Sequence, residues 1–242
     1  MYLTELHAHT REVSPCASQT AAEVADRYIA AGYSTVIVAN HYCDYVMKDA
    51  GETWDERYEH YLSGYRAMKE HAGGRLNVVL GMELRFEENY NDYLIVGFDE
   101  KFLYTHPDLH KMKLKEFSAL ARENGILVIQ AHPFRSYMQV TPVKYLDGIE
   151  VFNGHAEHQS RNQLAREFCR LYGLIPTSGS DFHDATSETS GGILTDVPIT
   201  SQKQLAEILS SRSYRLRCRG TAAERDGMQD FDASDLGTFT LS

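Results

Sequence analysis

The chain is punctuated by short apolar runs that stop on a histidine or a carboxylate. Leu3-Thr4-Glu5-Leu6 leads into His7-Ala8-His9, Ser34 to Ala39 into Asn40-His41, and Leu76 to Leu80 into Gly81-Met82-Glu83. Ile126 to Ala131 leads into His132-Pro133, Gly148 to Asn153 carries Glu150, and Leu174 to Gly179 leads into Ser180-Asp181-Phe182-His183. Runs this short, rich in β-branched residues, are typical of strands covered on both faces. Helical patterns lie between them. Thr20-Ala21-Ala22-Glu23 is a capping box, followed by Val24, Tyr28 and Ile29 at helical spacing. Trp54, Tyr58, Tyr61, Tyr65 and Met68 form an aromatic stripe read as core packing, and Leu164, Phe168, Leu171 and Tyr172 read as the apolar face of a later helix. Strands that alternate with helices predict a parallel sheet, and their number predicts closure into an α/β barrel.

A length of 242 residues suits one such barrel. The predicted barrel occupies residues 1–220. Residues 221–242 are acidic (Glu224, Asp226, Asp230, Asp232, Asp235) and read as a loosely held tail. No stretch approaches the ~18 uncharged apolar residues of a membrane span. The N-terminus has no basic segment followed by an apolar one, so no secretory signal is read. Cys16, Cys43, Cys169 and Cys218 have no paired spacing, which predicts reduced thiols and a cytoplasmic location. Cys16 and Cys43 fall near the polar strand ends but read as small buried residues. A net charge of −10 argues against nucleic acid as a partner, and it would oppose an anionic substrate unless the site had positive charge of its own.

His7 and His9 are separated by one residue at a strand end, so both imidazoles can turn toward one point. In parallel α/β barrels functional groups gather at the C-terminal ends of the strands. His7, His9, His41, Glu83, His132, Glu150, Asp181 and His183 all occupy such ends. Their mixture of imidazole and carboxylate suits zinc, manganese or iron, and Glu83 or Asp181 could bridge two ions.

Taken in order, the His-x-His opening, Asn40-His41, Gly81-Met82-Glu83, Ala131-His132-Pro133 and Ser180-Asp181-Phe182-His183 resemble the PHP (polymerase and histidinol phosphatase) domain metallophosphoesterases. The match runs from His7 to about Leu194. The resemblance implies a distorted (β/α)7 barrel with two or three divalent metal ions (Zn, Mn or Fe). It carries ligand roles onto His7, His9, His41, Glu83, His132, Asp181 and His183. Where that family places an Asp or His shortly after His-x-His, this chain offers Glu12, which is included as a ligand. The family histidine between Gly-x-Glu and Ala-His-Pro has no counterpart in Asn91-Asp92-Tyr93-Leu94, so two ions are the expected count and a third is left open.

Two close divalent ions lower the pKa of a shared water and neutralise a phosphoryl group, which predicts hydrolysis of a small phosphomonoester. Asp181 serves that chemistry as ligand and catalytic residue. Arg11, Arg85 and Arg135 lie near ligands, and Arg135 is the preferred phosphate clamp. His155 is the candidate acid for the leaving group, with His158 beside it, and Glu150 is expected to orient a ligand histidine. The alternatives are an amidohydrolase-like enzyme that cleaves a C–N or lactone bond, or a metal-stabilised binding module without turnover.

Overall fold

The computed structural model describes residues 1–237. β1 (Tyr2–Ala8) is followed by α1 (Ala21–Ala30), which the expected capping box starts: Thr20 N–H donates to Glu23 Oε2 at 2.8 Å and Glu23 N–H to Thr20 Oγ1 at 3.3 Å. β2 (Thr35–Val38) and β3 (His41–Tyr42) are separated only by Ala39-Asn40, and α2 (Asp44–Met47) and α3 (Trp54–Ala72) follow. On α3 Tyr61, Tyr65 and Met68 are buried, with Trp54 and Tyr58 packed at the core's edge, so the aromatic stripe is packing. β4 (Asn77–Leu80) leads through Gly81-Met82 into β5 (Glu83–Arg85), and β6 (Asp92–Val96) turns back. α4 (Glu100–Thr105), α5 (Leu114–Glu123), β7 (Leu127–Gln130), β8 (Gly148–Asn153), α6 (Asn162–Tyr172) and β9 (Ile175–Gly179) continue the alternation. The chain then runs through β10 (Ile193–Thr195), α7 (Gln202–Ser211), β11 (Arg215–Leu216), α8 (Gly220–Asp226) and β12 (Phe231–Asp232).

The strands form two sheets, β12-β11-β10-β1-β2-β4 and β3-β5-β6-β7-β8-β9. Both seams between them are bonded. At one, Gly81 N–H donates to Val38 O and Glu83 N–H to Asn40 O, each at 3.0 Å. At the other, Ala8 pairs with Phe182, and His9 N–H donates to Phe182 O at 3.0 Å. The circuit is therefore β1, β2–β3, β4–β5, β6, β7, β8, β9 and back to β1, the distorted seven-stave α/β barrel expected. It is not wholly parallel. β6 runs antiparallel to β5 and β7, because the 86–91 connection is too short for a helical crossover, and β10 runs antiparallel to β1.

Two further expectations need correction. Leu164, Leu171 and Tyr172 point to solvent; α6 buries Asn162, Ala165 and Cys169 instead, small side chains that let it sit close against β8. Residues 221–237 are not a loose tail. α8 packs Ala222 and Ala223 inward, β12 pairs with β11, and Met228, Phe231, Ala233 and Leu236 are buried. The acidic groups that suggested disorder make contacts of their own: Asp230 accepts from Cys218 N at 2.8 Å and from Arg219 Nη2 at 2.7 Å. Residues 238–242, the rest of that segment, lie outside the described residues. The guanidinium of Arg166 covers the Phe231 ring at 4.6 Å. Phe231→Ala is expected to cost about 3 kcal/mol in urea unfolding, the lower end for losing a buried aromatic ring. A change below ~0.5 kcal/mol, the level of an ordinary surface substitution, would place the segment outside the cooperative core.

Candidate metal centre

The strand ends bring seven of the eight expected ligands to one buried focus. His7 and His9 come from the end of β1, His41 from β3 and Glu83 from the start of β5. His132 follows β7, and Asp181 and His183 follow β9. Glu83 lies at the centre. Its Oε1 is 3.1 Å from both His7 Nε2 and His132 Nε2, and its Oε2 is 2.8 Å from His41 Nδ1 and 3.4 Å from His9 Nε2. Asp181 Oδ1 lies 3.4 Å from His7 Nε2, from His9 Nε2 and from His183 Nδ1.

Hydrogen bonds behind the rings set which nitrogen faces inward. His7 Nδ1–H donates to Glu150 Oε1 at 2.9 Å, the contact expected of Glu150, and leaves Nε2 toward the focus. His9 Nδ1 lies 3.3 Å from Ser14 Oγ, whose own proton goes to Asn40 Oδ1 at 2.9 Å. That arrangement makes Nδ1 the donor and presents the His9 Nε2 lone pair. Asn40 also accepts from Thr10 N–H at 2.8 Å, and Ser14 Oγ accepts from His41 N–H at 3.0 Å, so the Asn40-His41 pair clamps the turn after His-x-His. Below the focus, the buried Glu5 carboxylate accepts from His7 N–H (2.8 Å) and Ser180 N–H (2.9 Å), tying the end of β1 to the turn that carries Asp181. A side chain at Gly179 would meet His7 Cβ at 2.4 Å and Glu150 Oε1 at 2.7 Å, so the close approach of β9 requires glycine there.

The backbone is strained where two of these groups are presented. His132 has φ +27° and Asp181 φ +52°, conformations that cost a non-glycine residue ~1–3 kcal/mol and tend to cluster at functional sites. His132 is held there by its N–H on Glu150 Oε2 at 2.9 Å. Asp181 is held by Arg135 Nη2 at 2.6 Å and Asn153 Nδ2 at 3.1 Å, both on Oδ2.

Charge is divided unevenly. Burial opposes the charged form of His7, but Asp181, Glu83 and Glu150 outweigh it and hold its pKa well above the ordinary value. His41, beside Glu83 and Cys16, and His183, beside Asp181, are raised against burial in the same way. Burial and the neighbouring His183 hold His9 well below the ordinary value. Burial would raise the carboxyl groups of Glu83 and Asp181, but the facing histidines, with Arg135 in the case of Asp181, bring both well below the usual range.

Among the described residues, four sets of three offer ligand atoms within 4.8 Å of one another at this focus: His9/His41/His183, His7/His132/Asp181, His7/His9/Glu83 and His41/Glu83/Asp92. His7 Nε2, His9 Nε2, His41 Nδ1 and Glu83 Oε2 are buried and none makes a hydrogen bond of acceptable geometry. Buried polar atoms rarely go unsatisfied, and several converging on one point fit a bound cation. The donor set therefore fits divalent metal.

Glu12 is not among these groups. Both its oxygens accept from Ala21 N–H, at 2.9 and 3.1 Å, so it caps the first turn of α1 and faces away. Cys43 is buried as expected, but Cys16 is exposed on the loop after β1, where His41 and His183 act on its thiol. Burial alone would raise that thiol, but hydrogen bonding to His183 and His41 and the charge on both rings bring it down to about 6. Asp92, at the start of β6, reaches the focus without a motif to mark it. It is buried, 3.8 Å from His132 Nε2, and gripped through both oxygens by Arg85 at 2.7 and 2.8 Å. Arg135 is at the site, where its Nη2 binds Asp181 and Asn153 while its Nε makes no hydrogen bond. The His155 ring lies 5.5 Å from that of His183 and 4.3 Å from that of His158, and burial lowers its pKa to about 4.

The barrel defines the class: this is the fold of the PHP-like metal-dependent phosphoesterases. A Bacteroides vulgatus two-domain protein containing a predicted PHP-like metal-dependent phosphoesterase superposes with TM-score 0.64 at 16% identity, over 90% of this chain and 65% of its own. PsfC from Pseudomonas syringae gives TM-score 0.66 at 15% identity, over 92% of this chain and 93% of its own. An amidohydrolase from Chromobacterium violaceum, with bound sulfate and no metal, gives 0.52 at 15% identity, over 89% and 97%. No protein-family model and no curated protein matches the sequence. No helix among the described residues is long and apolar enough to cross a membrane.

Proposed function

We propose that this protein is a metal-dependent hydrolase of small phosphomonoesters. The observation that carries the reading is the convergence of unsatisfied, buried imidazole and carboxylate atoms on Glu83 and Asp181 at the strand ends. His7, His132, Glu83 and Asp181 would hold one part of a divalent metal cluster, and His9, His41 and His183 another, with Asp92 beside His132. When bound, such ions acidify water and neutralise charge on a phosphoryl group. The chain's own groups do the rest. Glu150 and Ser14 fix the tautomers of His7 and His9, and Asn153 and Arg135 aim Asp181. Arg135, held on Asp181 and Asn153 through Nη2, would offer its guanidinium to an anionic substrate. His155, lowered to about 4, would be neutral near pH 7 and would act as a leaving-group acid only after taking up a proton in the complex. A cleft of ≈220 Å³ that includes Tyr45, Arg85 and Tyr90 in its lining adjoins the cluster, since the Tyr45 ring is 6.1 Å from that of His41; this is where the leaving group is expected to lie.

The test pairs metal analysis with hydrolysis of an aryl phosphate, an aryl amide and a lactone, using native protein and Asp181→Asn. Bound metal with phosphate-ester turnover that falls at least ~10²-fold in the variant is expected. Turnover confined to the amide or lactone would move the assignment to amidohydrolase chemistry. Metal without turnover on any of the three would favour a binding module.

A further inference from the structure

We infer that Asp44, Glu87 and His110 form a further divalent-cation site, apart from the centre at Glu83 and Asp181, which fastens the wall of the cleft beside that centre. The three residues offer two carboxylate oxygens and one ring nitrogen within 4.8 Å of one another. That separation is little more than the span of two ligand bonds of ~2.1 Å. The residues come from separate segments: Asp44 opens α2, Glu87 follows β5 in the 86–91 connection, and His110 lies in the 3-10 turn Leu109–Lys111. Glu87 N–H donates to His110 O at 3.1 Å, so two of the segments are already tied through the backbone.

Two features distinguish this set from acidic groups that share a surface by chance. The first is His110. It is 1% exposed, its Nδ1 is buried without a hydrogen bond, and its ring packs edge-to-face against that of Tyr42 with centroids 5.6 Å apart. A buried imidazole with an unsatisfied nitrogen is rare, and this one reaches two carboxylates. Burial holds its pKa below the ordinary value, so near pH 7 the ring is neutral and has a lone pair to give. The second feature is the want of a counter-ion. Arg85 is bound to Asp92 through two nitrogens, and Lys111 Nζ pairs with Asp108 at 3.1 Å. Among the described residues no ion pair forms at Asp44 or Glu87, so two negative groups face each other uncompensated, a repulsion that a divalent ion reverses. Imidazole beside carboxylate suits manganese or zinc better than calcium or magnesium, which favour oxygen shells. Both carboxylates are exposed, so water completes the shell. Asp44 and Glu87 also line the ≈220 Å³ cleft with Tyr45, Arg85 and Tyr90. An ion held there joins three segments of the wall and cancels its negative charge, which favours an anionic ester. That last consequence rests on the hydrolase proposal; the site itself does not.

Manganese counts the sites. Metal-free full-length protein is titrated with Mn²⁺, the free ion being read by electron paramagnetic resonance, for the native chain, Glu87→Gln and His110→Gln. Each variant is expected to bind about one equivalent less than the native chain, or to hold that equivalent at least ~10²-fold more weakly, the upper end of what losing a ligand-orienting partner costs. Circular dichroism checks that His110→Gln is folded, and Glu87→Gln, at an exposed position, tests the site without touching the core. Hydrogen exchange should show residues 43–47, 86–91 and 109–111 protected by the ion in the native chain and not in Glu87→Gln. Equal stoichiometry and affinity in all three proteins would overturn the inference and leave the hydrolase proposal standing. An equivalent lost from Glu87→Gln but kept by His110→Gln would mark an adventitious ion on surface carboxylates, and would overturn it too. Failure of the native chain to bind either Mn²⁺ or, in a parallel titration, Zn²⁺ would overturn both.

Discussion

Glu83→Gln is expected to strip the centre of most of its metal and to lower turnover on the order of 10³-fold, the scale on which preorganised charge stabilisation acts at a reacting group. The reason is positional. One carboxylate faces four imidazoles, with Oε1 toward His7 and His132 and Oε2 toward His41 and His9. It is the group placed to bridge both parts of the cluster. Glutamine keeps the shape but replaces one oxygen with an amide nitrogen that has no lone pair to give. Asp92→Asn provides the graded comparison. Asp92 is farther from His132, at 3.8 Å, and both its oxygens are already engaged by Arg85, so a loss of about 10–100-fold is expected, as for groups that orient ligands. Metal analysis with kcat on whichever ester proves active checks both variants. Glu83→Gln with native metal content and native turnover would rule out a metal centre at this carboxylate.

Why Glu83 was visible in the sequence while Asp92 was not, and why Glu12 was misplaced, says where sequence reasoning stops. Short runs such as Val36-Ile37-Val38 and Val128-Ile129 must be strands covered on both faces, and a polar residue at the end of such a strand has few places to go but the barrel mouth. His7, His41, Glu83, His132 and Asp181 were found through that rule. Glu12 lies in a loop whose path is set by Ser14, Asn40 and the backbone of His183, contacts distant in sequence that no periodicity reports. Asp92 begins a strand instead of ending one, because β6 runs against its neighbours, so a search at strand ends passes it by. The α6 face was misread for a different reason. Leu164, Phe168, Leu171 and Tyr172 have the right spacing, but Asn162, Ala165 and Cys169 allow the closer approach to β8, and packing distance overrides hydropathy.

Chelation is expected to lower the melting temperature of the metal-loaded protein by about 5–10 °C for each tightly held ion, and by less as the pH falls. An ion present at a hundred times its dissociation constant stabilises the folded state by ~2.7 kcal/mol. In a chain of this length each kcal/mol moves the melting point ~2–4 °C. The metal-free protein should nevertheless remain folded, because its charges are matched internally: His7, His41 and His183, held above the ordinary histidine value of 6.5, face Glu83 and Asp181, held below theirs. That matching sets the sign of the pH dependence. A raised folded pKa means that the metal-free site carries its histidine protons near neutrality and must release them to take metal. The protonated form's contribution to the metal-free fold is complete below 6.5 and fades as pH rises through the raised values. A histidine away from the ligands, such as His60, titrates alike with and without metal and cancels in the difference. The gap between loaded and chelated melting points should therefore widen from pH 6 to pH 8, with the carboxylates ionised throughout. A gap that is constant over that window would show that the ions do not displace protons from these rings, and would place the metal elsewhere than among His7, His41 and His183.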